Sequence, residues 1–136
     1  MSTQYVLLVD DELHVTYVLG LKLSAAGVRY ECARSGSEAL AIASRETPAL
    51  VVTDFQMPGM SGLELAAKLR TQEKTADVPL FLLTARGHRI SPNQLEGTSI
   101  QAVLDKPFSP RQMIGLIVEI LDMQRGAEDT GCSEAA

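Results

Sequence analysis

The sequence predicts a doubly wound, five-stranded parallel α/β sheet, and three features carry that prediction. Short apolar runs recur along the chain, helix signals fill the gaps between them, and the runs end in polar residues followed by loops. Strands covered by helices on both faces read as unbroken apolar runs, whereas strands with one wet face alternate.

Tyr5 to Val9 is the first such run. Leu13 to Ala26 follows as a helix, with Val15, Val18, Leu19 and Leu23 on one face and Gly27 as its stop. Val28 to Ala33 alternates apolar and polar residues, the pattern of an edge strand. Ser35-Gly36-Ser37-Glu38 has capping-box spacing, in which the Ser hydroxyl and the Glu three residues on satisfy free backbone donors, so a second helix begins there. Ala49 to Thr53 is the next covered strand, Ser61-Gly62-Leu63-Glu64 repeats the capping box, and Pro79 to Thr84 is the strand after it.

The stretch from Arg86 to Ser99 fits the alternation worst. Gly87, Pro92 and Gly97 leave room only for a short helix from Ser91, so this connection is expected to be irregular or mobile. Ala102 to Leu104 is the last apolar run, read like the others as covered on both faces. Ser109-Pro110 then opens a helix with Pro at its first position, and Met113, Leu116, Ile117, Ile120 and Leu121 repeat at helical spacing. Ile114 and Val118 widen that stripe beyond what one packed surface requires, so a second copy in a homodimer, another protein or the tail is expected to cover the rest. Helix after strand, repeated five times, means a parallel sheet.

A chain of 136 residues fits one domain, assigned here to residues 1–125, and at this size about two-thirds of the unfolded surface is buried. Residues 126–136 have no apolar periodicity and are expected to form a disordered tail. With 46% hydrophobic and 21% charged residues, the composition is globular. A net charge of −5 argues against a nucleic-acid footprint, which needs clustered Lys and Arg. Cys32 and Cys132 are far apart and lack metal-ligand spacing, so they are expected to be inert thiols. No apolar run approaches the roughly 20 residues of a spanning helix, and Met1-Ser2-Thr3-Gln4 does not open a signal peptide, so neither a membrane role nor export is expected and the location is cytoplasmic.

In an open parallel sheet, ligands bind outside the carboxyl ends of the strands. At those ends stand Asp10-Asp11-Glu12, Asp54, Thr84-Ala85 and Lys106-Pro107. If their strands are neighbours, carboxylates, a hydroxyl and an amine converge on one rim. This also accounts for Asp54, a carboxylate that closes an apolar run: it belongs to a shared site at an open strand end. Crowded carboxylates repel one another unless a cation joins them, and two Asp residues with a loop carbonyl and waters suit Mg²⁺. A phosphoryl group is the anion most often held by such a metal, with a Lys and a hydroxyl sharing its charge, and an Asp carboxylate can itself be the nucleophile. Asp54 is the best candidate, because the Gly and Pro after it open the loop to a partner.

The set Asp10-Asp11, Asp54, Thr84-Ala85 and Lys106-Pro107-Phe108, in that order and spacing, resembles the response-regulator receiver domains of two-component signalling. The resemblance spans roughly residues 4 to 125 and implies a flavodoxin-like (βα)5 fold with strand order 2-1-3-4-5. It implies a stand-alone phosphoacceptor in a phosphorelay, taking a phosphoryl group on Asp54 from the phosphohistidine of a sensor histidine kinase or phosphotransfer protein. It implies Mg²⁺ bound by Asp11, Asp54 and the backbone carbonyl of Gln56, with Asp10 supporting the metal waters and Lys106. Lys106 would neutralise the phosphoryl oxygens, and the Thr84 hydroxyl would turn in to meet them, reshaping the loop behind it. Gln56 and Arg86 would flank the phosphoryl group and govern the approach of water.

Three departures fall on the face through which this family commonly signals. Val103 stands where an aromatic residue is usual, Ser99-Ile100 replaces Gly-Ala, and the fourth helix is interrupted. With no effector domain expected after Gly126, output would be a contact with an unidentified downstream protein or onward phosphotransfer. Two other classes compete. A phosphorylation-independent interaction module would fit the altered face but not the full acidic set. A phosphohydrolase of the haloacid-dehalogenase type also uses a strand-end Asp and Mg²⁺, but it needs an acid/base carboxylate two residues on, where this chain has Gln56. The reading is therefore a signalling domain rather than an enzyme, with at most self-catalysed phosphorylation and dephosphorylation. His14 and His88 read as surface residues, and Met57, Met60 and Met113 as loop or core packing.

Overall fold

The computed structural model describes residues 4–85, 90–96, 98–106 and 108–135, excepting the side chains of residue 92 and of residues 125–135. Five strands, β1 (Tyr5–Val9), β2 (Arg29–Ala33), β3 (Leu50–Asp54), β4 (Leu80–Thr84) and β5 (Ile100–Asp105), form one sheet. They alternate with α1 (Leu13–Ala25), α2 (Gly36–Arg45), α3 (Gly62–Arg70), α4 (Pro92–Leu95) and α5 (Pro110–Ala135). The order is β2-β1-β3-β4-β5 and every pairing is parallel, so the fold is the flavodoxin-like one.

Side-chain alternation divides the central strands between two cores. Tyr5, Leu7 and Val9 of β1 join Val51, Leu80 and Leu82 beneath α2 and α3, packing against Ala39, Ala43, Leu65 and Leu69. Val6 and Leu8 join Leu50, Val52, Phe81 and Leu83 beneath α1 and α5, where Leu19, Leu23, Met113, Ile117 and Leu121 cover them. All five positions of β1, β3 and β4 are buried, which is why these strands show no polar alternation. Each fully buried Leu contributes about 2 kcal/mol of hydrophobic transfer.

Local signals set the helix ends. The Ser61 hydroxyl accepts from the Glu64 N–H at 3.1 Å while Glu64 Oε1 accepts from the Ser61 N–H, a complete capping box. At α2 the Ser35 hydroxyl likewise accepts from the Glu38 N–H. Helix α1 closes in a Schellman arrangement, Val28 N–H to Leu23 O and Gly27 N–H to Ser24 O, with Gly27 at φ 76°. The short α4 begins just after Ser91, with Pro92 at its first position.

Three expectations differ from the structure. On α1 the buried face is Thr16, Leu19, Gly20 and Leu23, and Val18 is 38% exposed. Gly20 turns the helix this way: the Tyr30 ring lies only 2.6 Å from where a Cβ would stand, so this turn packs close to β2. Strand β5 is not covered on both faces but alternates half-buried and exposed residues, because it forms the second edge of the sheet. Its pairing with β4 also skips Gln101, since Leu80 faces Ile100 and Phe81 faces Ala102. Finally, the α5 backbone runs on to Ala135, through the segment assigned to a disordered tail. Ala127, Glu128, Glu134 and Ala135 are helix-favouring residues that permit this continuation. Among the described residues no helix is long and apolar enough to cross a membrane.

Candidate functional site

The strand order brings the carboxyl ends of β1, β3, β4 and β5 to one rim, and the acidic residues meet there. Asp54 is the last residue of β3 and 6% exposed, while Asp10 directly follows β1 and is 2% exposed. Asp11, at the loop surface, completes a group in which one carboxylate oxygen from each residue lies within 4.8 Å of the others. Backbone bonds fix this rim: Asp10 N–H donates to Ala33 O, Phe55 N–H to Leu83 O at 2.7 Å, and Gly62 N–H to Phe55 O at 2.8 Å. The loop after Asp54 folds back tightly, so a Cβ on Gly62 would collide with the Asp54 carbonyl oxygen. Gly59, at φ 79°, supplies the left-handed turn of the same loop.

Lys106 reaches the group from the end of β5. Its N–H donates to Thr84 O at 2.7 Å, which holds the lysine at the strand end. Its Nζ stands 3.2 Å from Asp54 Oδ1, 3.5 Å from Asp10 Oδ2 and 3.9 Å from Glu12 Oε1. Asp10 also accepts the Glu12 N–H at 2.9 Å.

These contacts set the protonation balance. Burial pushes the Asp10 carboxyl above its ordinary value, against the Glu12 N–H and Lys106, which pull it down. Burial likewise raises Asp54, with Lys106 opposing and Asp11 adding repulsion. Burial by itself would lower Lys106, but Asp10, Asp54 and Glu12 outweigh it and raise the ammonium above its usual range. Among the described residues, the Lys106 ammonium therefore meets three carboxylates, Asp10, Glu12 and Asp54, and Asp11 stands as a fourth beside Asp10 and Asp54. The remaining excess of negative oxygen donors fits a small hard cation such as Mg²⁺.

Gln56 lies two residues beyond Asp54 on an exposed loop, where it lines an open cleft of about 520 Å³ with Phe55, Met57, Pro58 and Ser61. Thr84 is fully buried at the end of β4, but its hydroxyl donates to Asp105 Oδ1 at 3.1 Å, on the side of β5. The structure thus gathers Asp10, Asp11, Asp54 and Lys106 directly and leaves the Thr84 hydroxyl engaged elsewhere. Arg86, His88 and Pro107 lie outside the described residues. His14 is on the surface, with Nε2 3.4 Å from Glu12 Oε2. Met57 and Met113 are buried core residues. Sequence reasoning missed Asp105: it precedes Lys106 and looks like any strand-end acid, and only the β4–β5 register, pairing Thr84 with Asp105, reveals it.

A parallel doubly wound sheet with an acidic group and a lysine at its carboxyl rim defines a small class of signalling domain. The model of the response regulator receiver domain matches residues 6–118. The chain belongs to this family, as the receiver domain of a two-component response regulator. It is 36% identical over 125 residues to the phosphate regulon transcriptional regulatory protein PhoB of Pseudomonas aeruginosa, covering 89% of this chain and 53% of that protein. It is 38% identical over 117 residues to the CpxR homolog of Haemophilus influenzae, covering 85% and 49%. Thus the chain spans about half the length of the curated relatives it matches. Among solved structures it resembles the chemotaxis response regulator CheY4 of Vibrio cholerae, with TM-score 0.79 and 27% identity over 88% of this chain and 99% of that one. A CheY-like receiver domain protein from Methanospirillum hungatei superposes with TM-score 0.81 at 26% identity, covering 93% and 99%.

Proposed function

We propose that Asp54 accepts a phosphoryl group from the phosphohistidine of a sensor histidine kinase or phosphotransfer protein, and that the phosphorylated rim signals through protein contact or onward transfer. A carboxylate oxygen of Asp54 attacks phosphorus in line, the Asp54 O–P bond forms, and the P–N bond breaks. Its electron pair stays on the donor imidazole nitrogen, which takes up a proton from solvent. The observation that carries the reading is the Asp54–Lys106 pair at 3.2 Å inside the Asp10, Asp11 and Asp54 group.

Asp11, Asp54 and the Gln56 carbonyl would hold Mg²⁺, with Asp10 orienting its waters. Bound there, the metal would share the negative charge of the phosphoryl oxygens. Lys106 takes the remaining charge, and Asp10, buried beside it, keeps the ammonium at the rim. Gln56, exposed next to the pocket, offers no carboxyl group to activate water, so sustained hydrolysis of the haloacid-dehalogenase kind is disfavoured. The setting is cytoplasmic. The net charge of the whole chain, −5, disfavours direct contact with nucleic acid, although one relative carries the name DNA-binding dual master transcriptional regulator RpaA.

Intact-mass spectrometry after incubation with Mg²⁺ and acetyl phosphate tests the proposal, with wild type beside Asp54→Asn. One added phosphoryl group on wild type alone is expected. Equal uptake by the variant would make Asp54 the wrong acceptor, and no uptake by wild type from this donor or from a phosphohistidine donor would favour a phosphorylation-independent binding module.

A further inference from the structure

We propose that Asp105 is a positioning residue that competes for the single proton of the Thr84 hydroxyl, holding that hydroxyl toward β5 and away from a phosphoryl group on Asp54. The inference rests on the phosphoacceptor reading of Asp54 and adds to it a brake built from a neighbouring strand.

Four observations lead to it. Thr84 is 0% exposed, so its hydroxyl has no bulk water to bond and needs a protein acceptor. The acceptor present is Asp105 Oδ1, at 3.1 Å. The two residues are register partners on adjacent strands, and Lys106 N–H already holds the Thr84 carbonyl, so the backbone here is fixed. What remains free is rotation about χ1, which for a β-branched residue has a few discrete wells rather than a continuum.

A threonine hydroxyl carries one O–H donor. Given to Asp105, that proton is withheld from any oxygen on Asp54, so the two arrangements exclude each other and form a two-state element. Asp105 itself is exposed. Water can take over its carboxylate when Thr84 turns away, so the brake costs little to release and stays reversible. A buried acceptor in the same place would lock the hydroxyl permanently.

The test is a double-mutant cycle on the rate of phosphate uptake from acetyl phosphate at fixed Mg²⁺. Asp105→Ala is expected to raise the rate about threefold to tenfold, and Asp105→Asn by less, because the amide oxygen still accepts. In a Thr84→Val background neither change is expected to matter. An equal acceleration in that background would assign the effect to removal of charge beside Lys106 and overturn the proposal. A second readout needs no phosphate: NMR couplings of the Thr84 side chain should report one χ1 well in the unphosphorylated wild type and averaging in Asp105→Ala. Averaging already in wild type, or one unchanged well in Asp105→Ala, also overturns it. A chain that takes up no phosphate but shows a fixed Thr84 freed by Asp105→Ala would instead sink only the reading of Asp54 as acceptor.

Discussion

Lys106 Nζ lies 3.2 Å from Asp54 Oδ1, and that ammonium is the cation through which β5 is tied to the acidic end of β3. The same group stands 3.5 Å from Asp10, so one lysine serves two carboxylates that are each less than a tenth exposed. Removing it leaves both without their counter-ion. Lys106→Met should therefore destabilise the domain by about 2 kcal/mol at neutral pH, below the range for a fully buried pair because the lysine is 23% exposed. Urea unfolding checks this, and the deficit should shrink in acid as the carboxylates protonate.

Asp54→Asn should leave the protein at least as stable as wild type, within about 1 kcal/mol. Burial and Asp11 disfavour the ionised carboxyl of Asp54, and a neutral amide of nearly equal shape escapes both. A loss of several kcal/mol on chemical denaturation would show that the ion pair with Lys106 outweighs desolvation.

The dependence on pH has a definite sign. Asp10 and Asp54 have folded pKa values raised above 3.8, so between 3.8 and those values the folded chain holds protons that the unfolded chain releases. Their contribution to stability falls as pH rises through that window. Mg²⁺ held at these carboxylates would require their ionised form, so the Tm gained with the metal should be largest near neutrality and should fade as pH drops into the same window. Lys106 acts at the other end: raised above 10.5, it contributes stability that is complete below 10.5 and lost as pH climbs through its folded value. Thermal melts across pH, with Mg²⁺ or a chelator, would measure both limbs. A gain from Mg²⁺ that does not change with pH would contradict binding at these carboxylates.

Gly62→Ala should damage the site through packing alone. Its Cβ would meet the Asp54 carbonyl and approach Leu82 Cδ1 to 2.7 Å, both parts of a filled interior. A stability loss of about 1–3 kcal/mol is expected, with reduced phosphate uptake because the loop after Asp54 must shift. Gly115→Ala has open space around the new carbon and serves as the control that should be neutral or stabilising.

Much of the fold was legible because its signals are local. The Ser61 box, the Gly27 stop and the doubly buried runs of β1, β3 and β4 each announce one element without reference to any other. What was misread depends on neighbours. Ala102 to Leu104 is too short a run to separate an edge strand from a central one, and only the sheet order places it outside. Val18 belonged to a plausible apolar stripe, but the close approach of Tyr30 to Gly20 chose a different face of α1. At the site, Asp10, Asp11, Asp54 and Lys106 were legible because polar residues at strand ends stand out against apolar runs. Asp105 was not, since its importance is a hydrogen bond across a register that sequence order does not display.

The division of the sheet into two separate cores also shapes how this protein can change over generations. Among the described residues, the side chains beneath α2 and α3 and those beneath α1 and α5 form separate buried clusters, so each layer can be repacked while the other stands unchanged. The proposed phosphoacceptor site occupies the rim where the strands run out. The helices can therefore diverge while the few polar side chains at the strand ends stay where the backbone puts them.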